Sequence, residues 1–367
     1  MKYIFFGLSF IGFAQIAAAQ KDTLNFSHSF SQKAITLRVD KGNVFVHTNA
    51  VKDIQGAKPF GISMEFSKQS SDNAMYQLTS SYPRKGIILS YFDYGTPILG
   101  KGVIVGYFLQ PNYRISDRFT FYIRGTIGIS YLSNPYSADK NPDNRNYSQY
   151  VNPYLHVGAG LGYRINSHFG AELGTNFQHI SNGNFTQPNK GLNWTTTSLS
   201  FVYYPDNNIL PKYRVVKNKY WKGAKPTLDI GLFYVAPQDY ISKWQAKRNN
   251  AVGVSLQLSK QFGRTNALSI AGEVYYNNIT PDANTTLGNN KSSVLSSLMI
   301  GHEFLLGRII FSQQIGMYIT PHPSYFTTFF ERFGLRYKIT DHWQAGFNLK
   351  ANTDDADFVD FRVLYRL

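Results

Sequence analysis

The sequence has no cysteine, which excludes a disulfide scaffold, a thiol nucleophile and a thiolate-bound zinc. Charge is also scarce: Asp, Glu, Lys and Arg together make up 16% of the 367 residues. Mean hydropathy is below zero, which rules out a helical membrane protein. It leaves a membrane β-barrel open, because half of every barrel strand is polar. Disorder is excluded as well, since it requires low hydrophobicity and high charge, whereas this chain carries 26 Tyr and 28 Phe. Acidic residues are the scarcer sign, 22 against 37 Lys and Arg, so the formal net charge is +15. That basic balance suits either nucleic acid or an anionic lipid surface.

The first twenty residues, MKYIFFGLSFIGFAQIAAAQ, decide between those two. Lys2 precedes an apolar run from Tyr3 to Ala14, and Ala17-Ala18-Ala19 offers small residues to a signal peptidase. The run is too short for a membrane anchor, which needs about 20 apolar residues. Residues 1–19 therefore read as a cleavable signal peptide with Gln20 as the new terminus, and the lack of cysteine excludes a lipoprotein. An exported chain is not expected to meet nucleic acid.

Strict alternation recurs along the mature chain. Phe60, Ile62, Met64 and Phe66 interleave with Gly61, Ser63, Glu65 and Ser67, and Val252, Val254, Leu256 and Leu258 with Gly253, Ser255, Gln257 and Ser259. Period-2 patterning gives a strand one apolar and one polar face, and no segment sustains a 3.6-residue period. The fold class is all-β. A secreted sandwich uses strands of about 5–6 residues. The runs here are about 10–14 residues long, closer to what a tilted strand needs to cross a bilayer. Charges such as Glu65, Arg124, Asp229, Glu273 and Lys350 fall on the polar face at mid-strand, which suits a barrel lumen. Tyr131, Tyr163, Tyr203, Trp343 and Tyr365 stand near strand ends, where interfacial aromatics belong. The expectation is a transmembrane antiparallel up-and-down β-barrel of about 14–16 strands over residues 20–367, in the bacterial outer membrane.

Gly, Asn, Asp and Pro clusters mark the turns. Ser116-Asp117, Asn166-Ser167 and Thr340-Asp341 look like short periplasmic turns, and 132–150 and 279–291 like long extracellular loops. The break at 205–225 carries Lys212, Arg214, Lys217, Lys219, Lys222 and Lys225 against one acid, Asp206. It is a plain solvated loop, a contact to lipid A phosphates, or a boundary between two smaller barrels.

Chemistry concentrates in residues 167–204. His179 and Ser181 share the face of Leu173 and Phe177, so they should look outward toward lipid at the end of their strand. Asn193 has the parity of Leu199, Phe201 and Tyr203 on the returning strand. A His two residues from a Ser on one face is able to take the hydroxyl proton and create a nucleophile. The spacing alone is equally that of a hydrogen-bonded turn. His302-Glu303 and His322 lack metal-ligand spacing, so no metal and no cofactor is expected. His156 alternates with glycines on the polar face and should line the lumen.

The longer string is more specific. His179-Ile180-Ser181-Asn182, followed by Gln187-Pro188-Asn189-Lys190-Gly191-Leu192-Asn193 entering a strand, resembles the signature of the lipid A 3-O-deacylase (PagL-like) family and of longer acyloxyacyl-hydrolase-type relatives. Gly301-His302-Glu303-Phe304, Glu331 to Tyr337 and Ala356-Asp357-Phe358 resemble later pieces of those relatives. The resemblance implies a membrane-embedded serine ester hydrolase acting on an acyl chain of lipid A in lipopolysaccharide. It implies His179 as general base, Ser181 as nucleophile, and Asn182 with Asn184 at the oxyanion hole. Asn193 stands where the best-studied members carry Glu. An amide can hold an imidazole tautomer but brings no negative charge to the imidazolium. Glu172 has the wrong parity to replace it. Three readings follow: a working lipid A esterase, a catalytically weak barrel with a structural or lipopolysaccharide-binding role, and a porin lined by Arg124, Glu273 and Lys350. Assembly as a homodimer is left open.

Overall fold

The computed structural model describes residues 31–206, 210–213, 220–236, 238–242, 245–248, 250–277, 294–320, 328–352 and 355–367. The signal-peptide reading, the 279–291 loop, Arg214, Lys217, Lys219 and His322 lie outside them.

The strands are β1 (Ser31–Val44), β2 (Phe60–Ser70), β3 (Arg84–Asp93), β4 (Lys101–Gln110), β5 (Asn112–Arg114), β6 (Phe119–Leu132), β7 (Val151–Arg164), β8 (Phe169–Ile180) and β9 (Leu192–Tyr203) in the first half. The second half has β10 (Thr227–Val235), β11 (Gln238–Ser242), β12 (Gln245–Arg248), β13 (Ala251–Gln261), β14 (Asn266–Asn277), β15 (Val294–Leu306), β16 (Ile309–Tyr318), β17 (Phe329–Lys338), β18 (Trp343–Asn352) and β19 (Asp355–Arg366). A short helix, α1 (Asn73–Thr79), joins β2 to β3.

Alternation makes these segments strands, and their burial shows it residue by residue. In β2 every second residue from Phe60 is exposed while Gly61, Ser63, Glu65 and Ser67 are buried. The exposed set is apolar and the buried set polar: Leu37 is 56% and Leu199 63% exposed, whereas Glu65 and Arg332 are at 0%. A water-soluble protein rarely shows so large an apolar surface. It is the surface of a barrel whose solvent is lipid.

Long strands pair antiparallel with their neighbours, and two non-local pairings close two separate rings. In the first, β1 meets β9 from Ile35 opposite Tyr203 to Val44 opposite Trp194, and β4 meets β6. The ring is β1-β2-β3-β4-β6-β7-β8-β9, with β5 an extra ladder on β6 beyond Pro111, whose missing N–H interrupts the strand. In the second, β10 pairs with β19, closing β10-β13-β14-β15-β16-β17-β18-β19. The up-and-down architecture is as the alternation predicts. The single ring of about 14–16 strands is corrected to two rings of eight, because Tyr203 and Phe361 turn back to their own halves, onto β1 and β10, rather than onto each other's. Period 2 is indifferent to which edges meet.

Eight strands enclose a space that side chains just fill. In the first barrel Glu65 accepts from both terminal nitrogens of Arg124 at 2.5 and 2.9 Å, and Glu172 from Arg84 at 2.8 Å. His156 lines this lumen as its parity predicts, between Thr126 Oγ1 at 2.8 Å and Asn176 Oδ1 at 3.0 Å. In the second barrel Arg332 bridges Glu273 at 2.6 Å and Asp360 at 2.9 Å. Lys350 is fully buried against Tyr275, Tyr318 and Phe330. Arg124, Glu273 and Lys350, the residues that the porin reading would set along a water path, are thus spent on packing and pairing inside filled lumens.

The aromatic positions near strand ends meet in pairs: half-buried Tyr163 lies tilted against Phe119 at 4.8 Å between centroids, and exposed Trp343 lies edge-on to Tyr365 at 5.0 Å. His302 packs edge-on against Phe304 at 4.3 Å.

Candidate active site

The site stands at the long-loop end of the first barrel, opposite the 165–168 turn. Its platform is an apolar cluster that caps the lumen: Phe92, Tyr94, Leu132, Ile180, Leu192 and Trp194 are all buried there. Trp194 lies edge-on to Phe92 and Tyr94, at 5.6 and 5.4 Å. Ile180, Leu192 and Trp194 point inward, so by the strand period their neighbours His179 and Asn193 stand on the other face, where His179 is half-buried and Asn193 buried. The packed side of each strand end therefore holds the chemical side in place.

His179 and Asn193 are register partners across β8 and β9. The pairing brings Asn193 Oδ1 to 2.6 Å from His179 Nδ1. His179 Nε2 takes no hydrogen bond among the described residues. Ser181 follows the end of β8, its N–H donating to Pro153 O at 3.3 Å and its Oγ accepting from Asn189 Nδ2 at 2.9 Å. Asn189 also accepts, through Oδ1, the backbone N–H of Asn182 at 3.1 Å. His179 and Ser181 are thus each held by a separate asparagine, and no hydrogen bond joins the two directly.

Of the sequence-derived candidates, His179 and Asn193 meet directly, and Ser181 and Asn182 are joined through Asn189. Asn182 is buried, with its backbone N–H already engaged. Asn184 occupies a turn with φ 63° and accepts from Gln187 Nε2 at 2.8 Å. Glu172 is on the lumen face, as its parity predicts, and is paired to Arg84.

Gly191 is required twice over. Its φ is +77°, a region that costs an L-residue about 1–2 kcal/mol, and a Cβ there would sit 2.9 Å from His179 Cε1. The 188–191 segment is in turn braced by the long 133–150 loop: Lys190 N–H donates to Arg145 O at 3.0 Å and Gly191 N–H to Asn146 O at 2.9 Å. That loop is itself knotted by asparagines, with Asn144 Nδ2 on Asn134 O at 2.7 Å.

Sequence reading missed two participants. Asn189 was visible within the Pro188-Asn189-Lys190-Gly191 string but without a role. His47, after β1, left no local signal at all. Phe45 N–H bonds Asn193 O at 2.8 Å, and this extension of the β1–β9 ladder carries the chain past Asn193. Two residues later His47 Nδ1 lies 3.1 Å from Asn193 Nδ2, and its Nε2 lies 2.9 Å from Lys190 O.

Comparison with known proteins gives the family. Residues 61–202 match the family described as Lipid A 3-O-deacylase (PagL), and residues 227–367 match Acyloxyacyl hydrolase, C-terminal domain. A search of curated proteins found no match. Among solved structures, Neisserial surface protein A aligns at 12% identity over 48% of this chain and 99% of its own, with a TM-score of 0.32. The N-terminal β-barrel domain of Pseudomonas aeruginosa OprF aligns at 16% identity over 47% and 99%, with a TM-score of 0.28. Those two likenesses carry no argument about chemistry. The family matches do, and between them they take in β2 to β9 and all of the second barrel: the chain belongs to the lipid A 3-O-deacylase (PagL) and acyloxyacyl hydrolase family.

Proposed function

We propose that this chain is an outer-membrane esterase that hydrolyses an ester-linked acyl chain of lipid A, with Ser181 as nucleophile and His179 as general base. The observation that carries this reading is the 2.6 Å bond from His179 to Asn193, which occupies Nδ1 and leaves Nε2 open on a lipid-facing strand end beside Ser181. An acyl chain lying in the membrane reaches such a site without leaving the bilayer.

In this mechanism Nε2 takes the Ser181 hydroxyl proton as Oγ bonds to the acyl carbonyl carbon. The carbonyl oxygen becomes an oxyanion. Asn189 Nδ2, already 2.9 Å from Oγ, and the Asn182 side-chain amide would bear on that charge. Asn184 keeps this role on sequence grounds alone. Collapse breaks the bond to the sugar oxygen, which leaves with the proton from His179. Water, activated by the same Nε2, then attacks the acyl-enzyme and releases the fatty acid, returning Ser181 to its hydroxyl.

Asn193 favours a second reading, a weak or inactive lipopolysaccharide-binding barrel, because an amide brings no charge to the imidazolium. Mass spectrometry of lipid A from cells making the wild type or Ser181→Ala separates the two. Loss of one acyl chain in the wild type alone is the expected result. Identical lipid A in both would sink the esterase reading and leave the binding one.

A further inference from the structure

His47 has no part in the reaction just described, yet both of its ring nitrogens are engaged beside it. Nε2 lies 2.9 Å from the carbonyl oxygen of Lys190 and Nδ1 lies 3.1 Å from Asn193 Nδ2. Donor and acceptor roles along this chain follow from its far end. A carbonyl only accepts, so Nε2 of His47 carries the proton. In a neutral ring Nδ1 then has the lone pair, and it accepts from the NH2 of Asn193. The amide oxygen is thereby turned to His179, 2.6 Å from Nδ1. An oxygen there only accepts, so His179 is protonated on Nδ1 and its lone pair sits on Nε2. Reversing the amide would present NH2 to His179 and select the opposite tautomer, whose Nε2 is already protonated and cannot act as a base.

We propose that His47 is a positioning residue: it sets the direction of the Asn193 amide and, through it, the tautomer of His179. The proposal rests on the reading of His179 as general base. Its chemical logic lies in what an amide lacks. A carboxylate accepts with both oxygens and orients an imidazole whichever way it is turned. An amide accepts with one end only, so a second group is needed to fix which end faces His179. His47 supplies that, reaching Asn193 from 146 positions away in sequence.

The test is a set of substitutions in the purified full chain, with release of fatty acid from lipopolysaccharide micelles as the readout. His47→Ala should lower kcat by at least about tenfold with KM little changed, up to the roughly 10⁴-fold that a wrong tautomer costs in a serine triad. His47→Gln should recover most of that loss, because its amide can accept from Asn193 and donate to Lys190 O. In an Asn193→Asp background, where either oxygen accepts, His47→Ala should cost less than about threefold, since the direction no longer matters. Equal losses in both backgrounds would mean that His47 only props the fold, and no loss in the Asn193 background would equally overturn the proposal.

The tautomer can also be read without turnover, by nitrogen NMR of the histidine-labelled protein in micelles. Wild-type His179 should be protonated on Nδ1, and His47→Ala should show both tautomers. A wild-type His179 protonated on Nε2 overturns the proposal whatever the activity. Wild type and Ser181→Ala equally inactive, with His179 protonated on Nδ1 only while His47 is present, would instead sink the esterase reading and leave the positioning role standing.

Discussion

The two barrels follow one plan and differ in how they close their contents. Each is a ring of eight strands with an apolar outer face and a lumen of buried ion pairs. In the first, pairs are largely private: Arg124 gives both terminal nitrogens to Glu65, and Arg84 serves Glu172. In the second, charges are shared: Arg332 and Arg362 both reach Asp360, and Arg336 and Arg366 both reach Asp229. Among the described residues, only the first barrel carries at its loop end a histidine linked by an amide to a second histidine. Among the described residues, then, the two rings differ in what stands at their strand ends rather than in how their walls are built. The lumen is devoted to filling space.

The sharpest break of that comparison lies in the ion pairs. Arg124→Ala strands Glu65 as an unpaired buried charge and should cost about 3–5 kcal/mol of stability, as removal of one partner of a buried pair does. Arg332→Ala should cost less, because Arg362 remains 2.7 Å from Asp360 and 3.8 Å from Glu273. Urea unfolding of the two variants in micelles, followed by tryptophan fluorescence, measures both. Equal costs would show that sharing gives no protection.

Glycines give the next contrast. Gly191 and Gly307 both adopt a left-handed backbone, at φ 77° and 71°. Substitution by Ala should cost each about 1–2 kcal/mol through the backbone alone. Only Gly191→Ala should also displace His179 and slow deacylation beyond the loss of folded protein. A rate per folded molecule left intact in Gly191→Ala would remove the argument that this glycine makes room for the ring.

The smallest effect concerns the turns. In the first barrel Asp117, exposed in the turn after β5, accepts from Lys212 and Arg114, and Lys212 foremost holds its carboxyl below the usual range. The 340–343 turn of the second barrel is closed by the Thr340 hydroxyl, just as the Ser116 hydroxyl closes 116–119, so the pairing of Asp117 is an addition to a turn already closed. A depressed carboxylate adds stability above its unfolded pKa of about 3.9 and loses it as pH falls through the folded value. Asp117→Asn should therefore lower the unfolding midpoint slightly at pH 7, and the difference should shrink as acid protonates the carboxylate. A difference that persists undiminished in acid would assign the effect to something other than this carboxylate.

Much of the site was legible before any coordinates. Parity alone puts Glu172 inward, and the structure agrees; it puts His179 and Asn193 outward, yet His179 is half-buried and Asn193 buried, because the loop ends fold over them. The motif around Ser181 named residues that the fold brings together, His179 on Asn193 and Ser181 on Asn189. His47 was invisible because its partner is distant in sequence and a lone histidine in a loop has no pattern to betray it. The role of Asn189 was hidden for a different reason: a turn asparagine most often bonds its own backbone, and only the fold shows it reaching Ser181.

Alternation by itself determined the strands and their two faces, because side chains on a strand can point only two ways. It could not determine ring closure, since β9 returns to β1 and β19 to β10 through contacts between residues far apart in the chain. Nor could it match lumen partners such as Glu65 with Arg124, or set the direction of one amide between two histidines. Those are decided by which groups the closed rings bring within hydrogen-bond reach, and only the tertiary structure sets those distances.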